Sequence, residues 1–160
     1  MHSDMLEWNT GASAEDAAQT VLASLFSTIQ YSMVLSRLPE RHLKMLKHWV
    51  DFTQDRREAL LRGRFRAHGP HSNFTVLESE TDEDRVAAAY AAETVVKVGS
   101  KKRETVVNAT GSAGLVVDLE LPRLAVIRDT FGAEHGRKSL GSGITRLDVP
   151  KSGYVEFSGE

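Results

Sequence analysis

Hydrophobic residues in the first third of the chain recur at helical spacing. Apolar side chains three and four positions apart continue from Ala18 to Ile29, which places them on one face of a helix. Ser13 is a favourable N-cap for this helix, because its hydroxyl can accept a backbone N–H of the first turn. A second apolar stripe follows Pro39, and Gly63 stands where its C-terminal cap is expected. The pattern therefore predicts two consecutive amphipathic helices.

After Gly63 the pattern changes to short runs in which apolar and polar residues alternate. From Leu115 to Leu121 every second residue is apolar, which is typical of a half-buried strand. Two further runs, 145–149 and 155–157, have the same pattern. Segments 99–102 and 151–153 contain residues typical of hairpin turns. Short strands separated by such turns predict an antiparallel β-sandwich.

Together these patterns predict an α+β fold with two N-terminal helices followed by an antiparallel β-sandwich. We expect the helical part to span 1–63, a linker 64–73 and the sandwich 74–160. Residues 85–92 stay ambiguous, because their alanines suit a helix while their neighbours are strands. Two helices alone make a thin core. The pair therefore either packs on the β part or lacks its natural partner.

Composition excludes several classes of protein. The 160 residues are 41% hydrophobic and 26% charged, as in ordinary globular domains. A formal net charge of -2 offers no general attraction to nucleic acid or anionic lipid. No apolar run in the sequence approaches the roughly 20 residues of a membrane span. The chain has no cysteine, which excludes disulfides and thiol chemistry. We expect no nucleic-acid or membrane partner, and the compartment stays open, with the cytoplasm favoured over secretion.

The histidines and acidic residues suggest neither a metal site nor a cofactor. His68 and His71 lie three residues apart without further ligands nearby, whereas metal sites need three or four. His42 and His48 fall on different faces of the second predicted helix, so we expect them at the surface or at a helix boundary. The acidic residues within 78–84 lack the spacing of a calcium loop, and we expect a solvated loop there.

The first eight residues combine side chains that suit sugar recognition. The segment His2–Trp8 holds an imidazole, a hydroxyl, two carboxylates and an indole. Carboxylates accept hydrogen bonds from sugar hydroxyls, and an aromatic face can stack on the C–H side of a sugar ring. The other interpretation of this segment is a frayed terminus. We take His2, Asp4 and Trp8 as the candidate substrate-binding residues.

Three stretches resemble the C-terminal end of α-galactosidase-like glycoside hydrolases of the melibiase, or family 36, type. They are His2–Trp8 with the alanine-rich helix after it, Leu38–Phe52, and Arg57–Phe65 with Pro70 and Asn73-Phe74 beyond it. The resemblance covers residues 2 to about 78, and Leu38–Phe52 is its most specific part.

The resemblance implies a (β/α)₈ barrel that carries the chemistry and a C-terminal sandwich packed on it. Residues 1–63 would supply the last barrel strand and the closing helices, Met1 would not be the biological start, and the N-terminal barrel would be missing. Barrel active sites lie at the C-terminal ends of the strands, so His2, Asp4 and Trp8 would stand near the sugar pocket. The family's retaining mechanism uses two carboxylates roughly 5 to 5.5 Å apart. No residue here matches either, so we assign no catalytic residue and expect the chain alone to be inactive.

The sequence leaves a second function open, a non-catalytic carbohydrate-binding or interaction module built on the sandwich. Sugar platforms use exposed aromatic rings, and few aromatic residues follow Phe74: Tyr90, Phe131, Tyr154 and Phe157. The expected partners are a galactoside-type sugar in the full enzyme and the missing barrel, with homo-oligomerisation left open.

Overall fold

A computed structural model describes the backbone of residues 2–159 and the side chains of residues 5–159. Within this part the chain begins with β1 (His2–Leu6), α1 (Ala14–Leu22), β2 (Thr28–Tyr31) and α2 (Glu40–Asp55), and a π-helical turn follows at Glu58–Arg62. Ten further strands, β3 to β12, are Arg64–His68, Val76–Glu80, Asp84–Ala89, Val95–Val98, Arg103–Asn108, Leu115–Leu119, Arg123–Arg128, Glu134–Leu140, Gly143–Leu147 and Tyr154–Ser158.

The ten strands β3 to β12 form two sheets that pack face to face. The large sheet has seven strands in the order β10-β9-β12-β7-β5-β4-β3, and the small sheet has three in the order β11-β8-β6. One hydrophobic core lies between them, in which Val96, Val98 and Val117 of the small sheet meet Val106 and Val155 of the large one. The predicted α+β class with a sandwich-like arrangement is confirmed in this form. The sandwich is mixed, however, since β5 pairs parallel to β7 and β6 pairs parallel to β8.

The opposite face of the large sheet carries the helices, so the molecule has three layers. Trp49 and Phe52 of α2 pack against Tyr154 of β12, with ring centroids 5.8 and 5.1 Å from the tyrosine ring. Val86 and Val107 of the sheet belong to the same core. Of the two possibilities for the helix pair, packing on the β part is therefore the one observed.

Central strands of the large sheet are buried on both faces, which explains the ambiguity of residues 85–92. In β5, Val86 and Ala88 face the helices, while Ala87 and Ala89 face the small sheet. A strand covered on both sides has no polar face, so its sequence shows no alternation. The alanines are thus compatible with a strand that is closely covered on both sides.

The first helix is shorter than predicted. Its N-cap is Ser13 as expected, and the Ser13 hydroxyl accepts a hydrogen bond from the backbone N–H of Asp16. The helix ends at Leu22, however, and Ile29 lies in β2, which pairs parallel with β1. The apolar residues beyond Leu22 keep a helical spacing although they are not helical. Ile29 belongs to a short strand whose apolar side faces the same core as the helix.

The segment predicted as a linker, 64–73, contains strand β3 in its first half. All five residues of β3 are exposed, so the alternation of its charged and apolar residues marks no buried face. Gly63 precedes it in extended backbone, where a Cβ would lie 2.4 Å from the Ala59 carbonyl oxygen and 2.8 Å from that of Glu80. Glycine is thus needed for close approach of two backbones.

The two turns expected to close hairpins instead connect the sheets. Segment 99–102 joins β6 of the small sheet to β7 of the large one, and segment 151–153 lies between β11 and β12, which also belong to different sheets. Turn residues predict where the chain reverses, but they do not say which sheet receives the next strand.

Among the described helices, none has the length and hydropathy to span a membrane.

Candidate functional site

Strands β1 and β2, with α1 between them, form a parallel β-α-β unit at the start of the chain. Leu6 is opposite Tyr31 at the C-terminal ends of the two strands. Just beyond, the Leu6 carbonyl oxygen accepts hydrogen bonds from the backbone N–H of Ser32 at 3.2 Å and from its hydroxyl at 3.1 Å. These contacts fix the C-terminal ends of both strands, close to the predicted site residue Trp8.

Trp8 lies two residues past the end of β1 and is only 8% exposed. Its indole Nε1–H donates to Nδ1 of His42 at 3.2 Å, and Nε2 of His42 lies 3.0 Å from the Ala12 carbonyl oxygen. This pattern fits a neutral imidazole with its proton on Nε2. His42 is 2% exposed and so does not lie at the surface, but it lies in the first turn of α2, so the helix-boundary alternative is the one observed. The burial of Trp8 leaves little of its ring free to stack on a sugar.

The other two predicted substrate-binding residues, His2 and Asp4, lie within β1, but their side chains are outside the described residues. The strand direction nevertheless separates the three positions. His2 begins β1, Asp4 is at its centre and Trp8 lies two residues past its C-terminal end.

A groove of about 330 Å³ runs between β2 and α2. Its apolar wall includes Leu25, Ile29, Val50 and Leu60. Tyr31 also lines it, and burial raises the pKa of Tyr31 to about 12. The groove thus adds apolar surface beside the parallel pair.

Within the acidic segment 78–84, Glu78 and Glu80 do not belong to a solvated loop. Both lie on β4, with 6% and 9% exposure, and their side chains line a cleft on the inner side of the large sheet. Arg85 bridges Glu78 to the fully buried Glu104: its Nε donates to Glu78 Oε2 at 3.0 Å and its Nη1 to Glu104 Oε2 at 3.1 Å. The prediction of a solvated loop is therefore wrong for Glu78 and Glu80, which are buried on a strand. Each carboxylate has a cationic partner, Arg85 for Glu78 and Arg66 for Glu80.

A charge pattern in the sequence could have revealed this network. Arg64, Arg66 and His68 alternate along β3, and the register places Arg64 opposite Glu80 and Arg66 opposite Glu78. Opposite charges facing each other across an antiparallel pair stabilise it. Two segments with period-two charges of opposite sign therefore predict neighbouring strands.

Electrostatics keep Glu78 ionised. Burial alone disfavours its charged form, but the attraction of Arg85 and hydrogen bonds from Arg85 and His68 outweigh that effect. The pKa of Glu78 consequently lies below its usual value.

Glu104 holds the neighbouring loop in place. Its two carboxylate oxygens accept the backbone N–H groups of Gly99 at 3.0 Å and Lys101 at 2.9 Å. Arg123 donates to the carbonyl oxygens of the same two residues at 2.8 and 3.1 Å. The loop is thus fixed through its amides and its carbonyls.

Nothing in this network forms a cation site. Across the described residues, no group of three or more histidine, aspartate or glutamate side chains is placed to hold a metal ion.

Comparison with protein-family models, with curated proteins and with solved structures finds no match. Function must therefore be argued from the parallel unit and from the charged cleft.

Proposed function

We propose that this chain forms the C-terminal portion of an α-galactosidase-like glycoside hydrolase. In this proposal the β1-α1-β2-α2 segment is the end of a (β/α)₈ barrel, and β3 to β12 are the accessory sandwich. The chain closes the barrel and covers its helical flank. Hydrolysis with retention would use two carboxylates that lie elsewhere in the full enzyme.

The observation that carries the proposal is the parallel pair at the start of the chain. Parallel sheets occur almost only with several strands and with helices covering both faces. Among the described strands, β1 and β2 pair only with each other, and Met5 on β1 is 70% exposed. Further parallel strands would extend this small sheet, as they do in a barrel.

The position of the helices is compatible with this arrangement. Ile29 and Tyr31 of β2 pack against the same core as α1 and α2, and that core reaches Val86 and Tyr154 of the large sheet. The helices thus lie between the parallel pair and the sandwich. An accessory sandwich packed on the outer helices of a barrel would require this order of layers.

Within the proposal, the three candidate sugar-site residues have unequal roles. Active sites of barrels lie at the C-terminal ends of the strands, which favours Trp8 and disfavours His2 at the opposite end of β1. Because Trp8 is buried and bonded to His42, it positions the end of β1 rather than stacking on the sugar. Asp4, at the centre of the strand, remains the candidate for direct contact.

The test is to extend the chain upstream. We would read the genomic sequence that precedes the first codon and express any continuous open reading frame with this chain. Release of nitrophenol from a nitrophenyl α-galactoside, with retained configuration of the released galactose, supports the proposal. A stop codon directly upstream, or a longer protein without this activity, overturns it. The 160-residue chain serves as the inactive control.

The alternative, a sugar-binding module with an aromatic platform, receives no support from the aromatic residues of the sandwich. Tyr154 and Phe157 are 4% and 2% exposed. Tyr90 and Phe131 pack against the helical core, and the Tyr90 hydroxyl donates to the Leu22 carbonyl oxygen at 2.8 Å. These four rings therefore form no exposed stacking surface.

A further inference from the structure

We infer that the charged cleft between the two sheets is a binding site for a neutral saccharide. The cleft measures about 790 Å³ and opens between β3 to β5 of the large sheet and β6 of the small sheet. The small sheet ends at β6, while the large sheet continues through β4 and β3. The inner face of β3 and β4 is therefore left open, and its polar side chains line the cleft.

The charges in the cleft nearly cancel. Five carboxylates line it: Glu78, Glu80, Glu104, Asp118 and Glu120. Four permanent cations also line it: Arg66, Arg85, Lys97 and Lys101. Leaving His68 out of the count, five negative and four positive charges give a formal net charge of -1. A nearly balanced site gives no strong selection for an ion of either sign.

The arrangement of the buried charges disfavours ionic ligands. An anion would meet the carboxylates of Glu78 and Glu104, both at least nine-tenths buried. A metal cation would have to displace Arg85, which donates hydrogen bonds to both of these carboxylates. Removing the cation from a buried pair leaves buried charge uncompensated, so an uncharged ligand is favoured.

The rim of the cleft offers two half-exposed hydrogen-bonding groups, of which His68 already has its Nε2 at 3.1 Å from Glu78 Oε1. Arg66 and His68 are about half exposed, with side-chain exposures of 53% and 51%. Arg66 Nη1 is 3.6 Å from Glu78 Oε1, and its Nη2 is 3.3 Å from Glu80 Oε1, so both contacts are long. Neighbouring hydroxyls of a sugar can accept from the guanidinium group and donate to the carboxylates. Val95, 44% exposed, adds an apolar contact for C–H groups.

A peptide strand added to β6 is the less favoured occupant. The strand has only four residues, and Lys97 lies within it. Short edge strands and edge lysines are features that discourage strand addition. The inference uses only residues of the sandwich, so it does not depend on the proposed barrel.

The test is an NMR titration of the isotopically labelled 160-residue chain with two neutral trisaccharides, raffinose and maltotriose. We expect amide shifts confined to β3, β4 and the loop at Gly99–Lys101. Arg66→Ala should weaken binding by about tenfold, the effect of one lost charge-assisted hydrogen bond. Arg62→Ala is the matched control, because Arg62 is exposed on the π-helical turn and outside the cleft.

Three results would overturn the inference. The first is the lack of localised shifts with either trisaccharide. The second is binding that Arg66→Ala leaves unchanged, or that maps to the β1-β2 region. The third is a preference for inorganic phosphate, or for a short peptide of alternating lysine and glutamate, over both trisaccharides. Because the shifts are mapped to residues, this outcome is separate from that of the α-galactosidase assay.

Discussion

The imidazole ring of His48 lies parallel to the phenol ring of Tyr154, with 5.6 Å between the ring centroids and 10° between the planes. His48 belongs to α2 and Tyr154 to β12, so this contact joins the helices to the large sheet. A Cβ at Gly132, in the turn between β9 and β10, would lie 2.4 Å from the same imidazole. His48 of α2 thus packs against both β12 and the turn between β9 and β10.

The environment of His48 predicts that stability depends on pH. Burial lowers its pKa; Asp129 and Asp51 oppose this, while Arg56 and Arg128 add to it. Since the folded-state pKa is below the unfolded value near 6.5, the unfolded chain binds the proton more tightly. The contribution of neutral His48 to stability is full above the unfolded-state pKa. It declines as the pH falls from the unfolded-state pKa toward the folded-state pKa. His48→Phe keeps an aromatic ring and should reduce the loss.

The measurement is the free energy of unfolding by denaturant at about pH 7.5 and about pH 5.5, on either side of the unfolded pKa of histidine. His135→Phe is the control, because His135 is exposed on β10. An equal loss of stability in His48→Phe and in the unmodified chain would contradict the prediction.

Gly63 predicts a second effect on stability. Its φ of -69° suits any residue, but an added Cβ would meet two backbone carbonyl oxygens closer than 3 Å. Backbone atoms cannot turn away as side chains do, so Gly63→Ala should lower the free energy of unfolding by about 1–3 kcal/mol. Gly141→Ala has open space around the new methyl group and should change stability little. Thermal or denaturant unfolding distinguishes the two variants, and equal stabilities would contradict this account.

Sequence patterns were informative wherever one face of an element is polar. The half-buried strand Leu115–Leu119 and the N-cap Ser13 could be predicted because alternation and capping are local properties. Strand β5 could not, because both of its faces are buried, and in β3 the charged and apolar residues alternate but no face is buried. Period-two patterning is thus lost where both faces of a strand are buried.

The candidate site was harder to predict because it depends on pairing between distant segments. The indole of Trp8 makes it a candidate in the sequence, yet its contact with His42 spans 34 residues and depends on how α2 packs. Glu104 has no distinguishing signal in the sequence, although it is fully buried between Arg85 and the loop at Gly99. A carboxylate next to strand residues such as Thr105 and Val106 looks solvated until the register of the sheet is known.

The Arg85 network predicts a large loss of stability when its cation is removed. Arg85→Met leaves Glu78 and Glu104 buried without their main partner, which should cost about 3–5 kcal/mol at neutral pH. The loss should shrink in acid, as the pH falls through the lowered pKa of Glu78 and its carboxylate becomes neutral. Arg62→Met removes an exposed cation at a surface pair and serves as the control. Equal unfolding free energies for the two variants at neutral pH would show that the network contributes no stability.

The last prediction separates a positioning role of Trp8 from a sugar-stacking role. Trp8→Phe keeps an aromatic ring but removes the N–H that donates to Nδ1 of His42. A buried acceptor left without a partner should lower the free energy of unfolding by about 1–3 kcal/mol. Phe74→Leu, at a ring that is 47% exposed, is the control and should stay within about 0.5 kcal/mol of the unmodified chain. Unfolding monitored by far-UV circular dichroism measures both variants, and a Trp8→Phe chain as stable as the control would mean that the indole N–H does not anchor the end of β1.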